Sequence, residues 1–149
     1  MTLKAQITDD MKAAMRARQS ERLGTIRMLL AAIKQQEVDQ RVELDDAAIL
    51  ATVGKLIKQR RDSVAAYTEG GRQDLADKEA AEIEVLQAYL PEQLPAEAVA
   101  AAVAEIIAQT GATGPRDMGK VMGAARERLA GRADMGVVSK LARQALAAN

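Results

Sequence analysis

Apolar side chains recur every three or four residues along most of this chain, which is the spacing of one face of an α-helix. The first segment places its apolar side chains four residues apart, at Leu3, Ile7, Met11 and Met15. The same periodicity, interrupted by glycine, proline and polar clusters, predicts seven helices. They cover approximately residues 3–18, 20–39, 46–67, 72–90, 96–110, 116–130 and 135–148.

The residue composition favours helix throughout the chain. Ala, Leu, Glu, Lys and Arg are abundant, and the three prolines stand at Pro91, Pro95 and Pro115. Gly70 and Gly71 should end the third helix and fold it against the fourth as an antiparallel hairpin. We therefore expect an all-α fold.

Two prolines within five residues predict a domain boundary. Pro91 disfavours helix at the residue before it, and Pro95 is well placed to begin the next helix. We expect an N-terminal helical domain over residues 1–90 that contains the long hairpin. A proline hinge over 91–95 should lead to a small C-terminal three-helix bundle over 96–149.

Two stretches near the C-terminus nearly repeat each other, DMGKVMG at 117–123 and DMGVVSK at 134–140. Each is typical of a loop that enters a helix, with Asp117 and Asp134 as helix caps. The glycines would allow another backbone to come close. An Asp cap already occupies the free amide groups, so these helix ends are poor phosphate sites.

The composition excludes most catalytic arrangements, because the chain has no His and no Cys. It therefore lacks an imidazole base, a thiolate nucleophile and the usual zinc ligands. No residue pattern supports a carboxylate-only metal site. We expect no catalytic residue, no cofactor and no metal.

The N-terminus carries Lys4, Asp9, Asp10 and Lys12 where a secretory signal would need an apolar core. No stretch approaches the roughly 18 apolar residues of a membrane span. The lack of Cys fits a reducing compartment. These features predict a cytoplasmic protein that does not enter a membrane.

Charge is balanced in total but unevenly distributed. Residues 1–41 carry 8 basic and 5 acidic side chains, residues 69–97 carry 2 and 8, and residues 98–149 carry 7 and 4. Such runs are most often solvated helix faces. Arg27 and Lys34 flank the apolar stripe of the second helix and could bind phosphate, but long basic side chains more commonly extend over the edge of a core.

The hairpin should bring three charged side chains together. Arg60 shares a helix face with Val53 and Tyr67, and Glu79 and Glu82 share a face with the apolar residues of the next helix. A turn at residues 70–71 places Arg60 opposite positions 79–82. We favour a buried structural ion cluster over a ligand pocket, because paired burial makes these charges tolerable.

Six segments together resemble one known family, the YqeY family, over nearly the whole chain. They are RMLLAAIK at 27–34, KQRRDS at 58–63, GRQDL at 71–75, KEAAEI at 78–83, YLP at 89–91 and DMGKVMG at 117–123. That family is similar to the C-terminal tail of GatB, the B subunit of the aspartyl/glutamyl-tRNA amidotransferase. One departure is Met135, which stands where the family pattern leads us to expect glycine directly after Asp134.

The resemblance implies a cytoplasmic bacterial protein that binds tRNA or accompanies a tRNA amidotransferase, under the family label of carbon-nitrogen ligase with glutamine as amido donor. The implied partners are tRNA, amidotransferase subunits or a tRNA synthetase. Candidate tRNA-binding residues are Lys120, Arg126, Arg132, Lys140 and Arg143. The alternative is a helical protein-interaction adaptor unrelated to tRNA. A basic cluster on the last two helices would favour tRNA, and an exposed apolar patch would favour a protein partner.

Overall fold

The computed structural model describes residues 1–148, and the fold is all-α, as the sequence predicts. A short 3₁₀ turn, Pro115–Asp117, precedes the sixth helix. The described α-helices are α1 (Leu3–Arg16), α2 (Ser20–Gln40), α3 (Asp46–Glu69), α4 (Gln73–Gln87), α5 (Ala96–Thr110), α6 (Met118–Leu129) and α7 (Met135–Ala147). None of these helices is long and apolar enough to cross a bilayer.

The chain divides into two compact units, one of residues 1–90 and one that begins at Pro91. In the first unit α1 packs on α2 and α3, and α4 packs on α2 and α3. Its core consists of side chains with no solvent exposure from all four helices, among them Ile7, Ile26, Leu29, Ile49, Val53 and Leu86. The apolar stripes read from the sequence therefore face one another.

A tight turn joins α3 to α4. Gly71 takes a left-handed φ of 74°, a conformation that glycine adopts without steric cost. The amide of Arg72 donates a 2.8 Å hydrogen bond to the carbonyl of Tyr67, which closes the end of α3. These two helices form the long antiparallel hairpin that the sequence predicts.

In the second unit α5, α6 and α7 each pack against the other two. The inward-facing residues of α6 and α7 are fully buried, and they include Val121, Ala125, Val138 and Ala142. Side-chain caps fix several helix starts in both units. Asp45 accepts from the amide of Ala48 at 2.9 Å at the start of α3, for example.

Some helices are shorter than the sequence pattern suggests. α1 ends at Arg16, because Arg18 takes a left-handed φ of 57° and turns the chain. α4 ends at Gln87, three residues before the expected end, since Pro91 disfavours helix in the residues that precede it. The sixth helix begins at Met118, because the residues from Pro115 form the 3₁₀ turn instead.

The glycines of the first repeat do not serve a close approach between backbones. A methyl group added at Gly119 or Gly123 would meet no atom within 4 Å. Both residues lie on the exposed side of α6. The expectation that they admit a neighbouring backbone is wrong, because the three-helix core is formed by the opposite face of this helix.

Candidate functional site

Arg60 and Glu82 form the ion pair that the sequence predicts. Arg60 Nε donates to Glu82 Oε2 at 3.0 Å, and Arg60 Nη1 donates to the backbone carbonyl of Leu56 at 3.2 Å. Arg60 Nη2 contacts the sulfur of Met28 on α2. The guanidinium group therefore joins α2, α3 and α4.

Glu79 is half-buried, but it makes no hydrogen bond with Arg60 in the described part of the chain. Glu82 lies one turn further along α4 and occupies the position opposite Arg60. No buried side-chain nitrogen or oxygen of the described residues lacks a hydrogen-bond partner. This cluster is consequently a structural contact that joins helices of the first unit.

A second ion pair, which the sequence analysis missed, joins α1 to the end of α2. Lys4 Nζ donates to both carboxylate oxygens of Glu37, at 2.8 and 2.9 Å. The amide of Leu44 also donates to Glu37, at 2.9 Å. The hydrogen bond from Lys4 and then that from Leu44 hold the pKa of Glu37 below its usual value. Contacts between residues 33 positions apart leave no local sequence signal.

A third missed contact connects the two ends of the first unit. The buried hydroxyl of Tyr89 donates to Asp10 Oδ2 at 2.7 Å. Burial raises the pKa of Tyr89, and the hydrogen bond to the Asp10 carboxylate raises it further. Tyr89 is one of only two tyrosines in the chain, which is the single sequence feature that could have marked it.

The five basic residues proposed for tRNA binding lie on α6, on α7 and in the segment between these helices. Lys120 donates to the carbonyl of Thr110 at 3.3 Å, and Arg132 donates to the carbonyl of Glu92 at 3.4 Å. Both side chains thus support loops of their own unit. Six residues separate Lys120 from Arg126, so the two lie on different sides of α6.

The remaining two basic candidates are on α7, where Lys140 and Arg143 are exposed. Arg143 Nη2 donates to Ser139 Oγ at 3.0 Å. The third basic residue of α6, Arg128, is paired with Glu105 of α5 at 2.8 Å. Of these basic side chains, Arg128 is paired with a carboxylate, whereas the neutral acceptors of Lys120, Arg132 and Arg143 leave the charges of those residues intact.

The two aspartates predicted as helix caps act differently. Asp134 Oδ1 accepts from the amide of Gly136 at 2.7 Å and caps α7. Asp117 Oδ2 accepts from the amides of Thr113, at 2.9 Å, and Gly114, at 3.4 Å. The hydrogen bond from Thr113 lowers the pKa of Asp117. Asp117 therefore closes the loop before α6 and does not cap α6 with its side chain.

Exposed apolar side chains are grouped in the first unit. Met15 is 47% exposed, Val38 59% and Val42 53%. A shallow depression of about 400 Å³ lies beside the two valines. Its lining combines apolar and charged residues, namely Lys4, Lys34, Glu37, Val38, Arg41, Val42 and Glu43.

The exposed edge of α2 extends this surface toward Met15. Arg27 Nη2 lies 3.8 Å from the sulfur of Met15. Spacings of four, seven and eleven residues place three further exposed side chains on the same edge as Arg27, namely Ala31, Lys34 and Val38. We call the surface formed by Met15, Arg27, Ala31, Lys34, Val38, Arg41 and Val42 the α1–α2 face. Arg27 and Lys34 stand out in the sequence as the cations that flank the apolar stripe of α2, but the exposure of Met15, Val38 and Val42 is evident only from the fold.

Comparison with a family model matches residues 4–146 to the description "Yqey-like protein". The chain belongs to the YqeY family. This confirms the resemblance drawn from the six short segments. In the part of the chain that the structure describes, no group of three acidic residues is arranged to hold a metal ion.

Several relatives of this YqeY-family chain are fungal proteins named "Altered inheritance of mitochondria protein 41, mitochondrial". The protein of Eremothecium gossypii is 41% identical over 87 residues, which are 58% of this chain and 48% of the relative. That of Kluyveromyces lactis is 41% identical over 86 residues, 57% of this chain and 46% of the relative. The Saccharomyces cerevisiae protein is 34% identical over 87 residues, which are 58% of this chain and 46% of the relative. The chain spans about half the length of these relatives.

These names correct three expectations drawn from the family resemblance. None of them mentions tRNA or an amidotransferase, and this contradicts the expected function as a tRNA-binding or amidotransferase-associated module. They also describe the relatives as mitochondrial, which contradicts the expected cytoplasmic location. The matched organisms are yeasts and related fungi, so the bacterial label is likewise unsupported.

Proposed function

We propose that this protein is a helical protein-interaction adaptor that docks other proteins on the α1–α2 face and performs no chemistry itself. The observation that carries the proposal is the exposure of apolar side chains beside cations on this face: Val38 and Val42 border the depression that Lys34 also lines, and Met15 lies against Arg27. An exposed apolar patch bordered by charged residues is typical of a protein-binding surface.

The charges of this face indicate the kind of partner. Arg27 contacts only the sulfur of Met15 among the described side chains, and the nearby carboxylate of Glu37 is already bonded to Lys4. The charge of Arg27 is therefore available to a ligand along the edge of α2, whereas Lys34 lies close enough to Glu37 to help lower the pKa of that carboxyl. A partner helix with acidic and aliphatic residues on one face would satisfy both the cations and the apolar side chains.

The composition supports docking over catalysis. The chain has no His or Cys, and Arg60 and Glu82 are hydrogen-bonded to each other within the fold. The name shared by the fungal relatives specifies no reaction. An adaptor requires only an accessible surface on a rigid unit, and the first unit supplies both.

The proposal can be tested with a fluorescently labelled synthetic helical peptide that carries Glu and Leu in heptads. We expect its fluorescence anisotropy to rise on titration with the protein. Replacing Val38 and Val42 together by Ser should weaken binding by about tenfold, because apolar burial is lost. Val137→Ser is the matched control, since Val137 is 49% exposed in the other unit.

The peptide result would contradict the proposal in either of two cases. One is equal binding of a peptide in which every Glu is replaced by Lys. The other is equal affinity of the double-serine variant and the Val137→Ser control. Circular dichroism of each variant checks that helix content is unchanged.

A further inference from the structure

Two exposed helix stripes of the first unit share one spacing and carry opposite charges. Each stripe begins with a charged residue. Alanine follows four positions after it, a second residue of the same charge seven positions after it, and an apolar residue eleven positions after it. The basic stripe on α2 consists of Arg27, Ala31, Lys34 and Val38. The acidic stripe, on α4 and its C-cap, consists of Asp77, Ala81, Glu84 and Ala88.

All eight side chains of these stripes are exposed. Seven residues of helix rise by about 10.5 Å, so the two charges of each stripe are separated by the same distance. Glu21 and Asp39 of α2 fall outside the basic stripe, and Lys78 falls outside the acidic one. Glu37 borders the basic stripe at Lys34, but its carboxylate is bonded to Lys4. The stripes therefore match in spacing and are opposite in sign.

We infer that the basic stripe of one copy packs in parallel against the acidic stripe of a second copy of this chain. Parallel alignment places Arg27 opposite Asp77 and Lys34 opposite Glu84. It also places Ala31 opposite Ala81 between the two charge pairs, where small side chains let the helices approach closely. This contact uses the α1–α2 face on which the proposed function rests.

The first charge of each stripe, Asp77 and Arg27, pairs with no oppositely charged side chain among the described residues of its own unit. The amide of the Gln73 side chain donates to Asp77 Oδ1 at 2.7 Å, a neutral partner that leaves the carboxylate charge intact. Arg27 has only the weak contact with Met15. Since exposed ion pairs are individually weak and screened by salt, association between copies should be modest and strongest at low ionic strength.

Disulfide trapping tests the contact directly, because the chain has no cysteine of its own. Ala31→Cys and Ala81→Cys are prepared as separate proteins, mixed and oxidised with copper phenanthroline. A bridge needs Cα atoms within about 7 Å, so a mixed dimer should form rapidly. In the control mixture the Ala51→Cys protein replaces the Ala31→Cys protein. Ala51 is an exposed residue of α3 that the proposed contact does not use. Equal yields in the two mixtures would overturn the inference.

Charge reversal provides an independent test by sedimentation velocity at low and high salt. Arg27→Glu with Lys34→Glu, and separately Asp77→Lys with Glu84→Lys, should each weaken self-association by about tenfold or more. An equimolar mixture of the two variants should regain association, because each retains the stripe that the other has lost. Failure of the mixture to exceed the separate variants would refute the pairing.

The outcomes separate this inference from the proposed function. If the Glu–Leu peptide binds but wild-type protein stays monomeric at low salt, the second copy is not the occupant and the adaptor proposal stands. If the copies associate and trap at Ala31 and Ala81 but the peptide does not bind, the contact between copies stands and the adaptor proposal falls.

Discussion

Arg60 Nε lies 3.0 Å from Glu82 Oε2, and this hydrogen bond sets the register of the α3–α4 hairpin. If α3 were displaced by one helical turn along α4, the Arg60 guanidinium would no longer lie opposite Glu82. The contact of Arg60 with Met28 joins α2 to the same point. One side chain thereby orders three helices.

Replacing Arg60 by Ala should destabilise the protein by about 2 to 4 kcal/mol, because Glu82 loses its partner and a void opens. This is below the loss for a fully buried pair, since the Glu82 side chain keeps 22% exposure. Arg60→Met should cost less, because Met fills part of the space. Urea unfolding of both variants measures the difference, and equal stabilities would show that Arg60 does not pack as described.

Acid should weaken the link between α1 and α2. The pKa of Glu37 is lowered in the folded state, so its contribution to stability is present above about pH 4.5 and is lost as the pH falls through the folded-state pKa. Glu37→Gln should lower stability at pH 7 and reduce the further loss between pH 5 and 3. Urea midpoints across this range provide the measurement. Glu43→Gln, in the same region, is the control and should behave as wild type.

Alkali should weaken the contact between Tyr89 and Asp10. The pKa of Tyr89 is raised on folding. The Tyr89 hydroxyl therefore makes its full contribution to the free energy of unfolding below about pH 10, and this contribution declines as the pH rises further. Tyr89→Phe should lose about 1 kcal/mol at pH 7 through the missing hydrogen bond. It should also lose less stability than wild type between pH 10 and 11.5. A steeper decline in the variant would contradict this assignment.

Gly119→Ala and Gly123→Ala should each stabilise the second unit by about 0.5 to 1 kcal/mol. Both positions lie in α6 with open space around the added methyl group, and alanine lowers the entropy cost of helix formation. Gly111→Ala should have the opposite effect, because Gly111 takes a left-handed φ of 70°. Thermal unfolding of the three variants compares them; destabilisation at both α6 positions would reveal a contact that the fold does not show.

The segment after Pro91 should behave as part of the second unit. The amide of Leu94 donates to the carbonyl of Arg132 at 2.9 Å, and the Gln93 side chain contacts the carbonyl of Gly131. A fragment of residues 91–149 should therefore unfold cooperatively and at a higher denaturant concentration than one of residues 96–149. Limited proteolysis should cut at residues 88–92. Protection of that stretch, or a fragment without cooperative unfolding, would show that the two units depend on each other.

Local sequence signals were sufficient for the helices and for one buried contact. Gly70, Gly71 and the apolar spacing identified the hairpin, and the hairpin in turn placed Arg60 near Glu82. Two helices joined by a short turn run antiparallel. The distance of a residue from the turn along the chain therefore determines which residue of the other helix lies opposite it. It could not choose between Glu79 and Glu82, since both fall within one turn of the expected position.

Contacts between distant helices could not be read in this way. Lys4 with Glu37 and Tyr89 with Asp10 depend on how four helices are arranged around the core. The exposure of Gly119 and Gly123 also depends on which face of α6 is buried. The α1–α2 face was missed for a related reason, because an apolar residue such as Met15, placed in the apolar stripe of the first helix, is 47% exposed once the helices pack.

The hydrogen bond between Tyr89 and Asp10 also orders events during synthesis. Asp10 is made early, but its partner leaves the ribosome 79 residues later, at the last turn of the first unit. The first unit therefore cannot complete its contacts until almost all of it has been translated, whereas α1 and α2, which end at Gln40, can pack together beforehand. A pause in translation before residue 89 would leave the nascent unit open at α1.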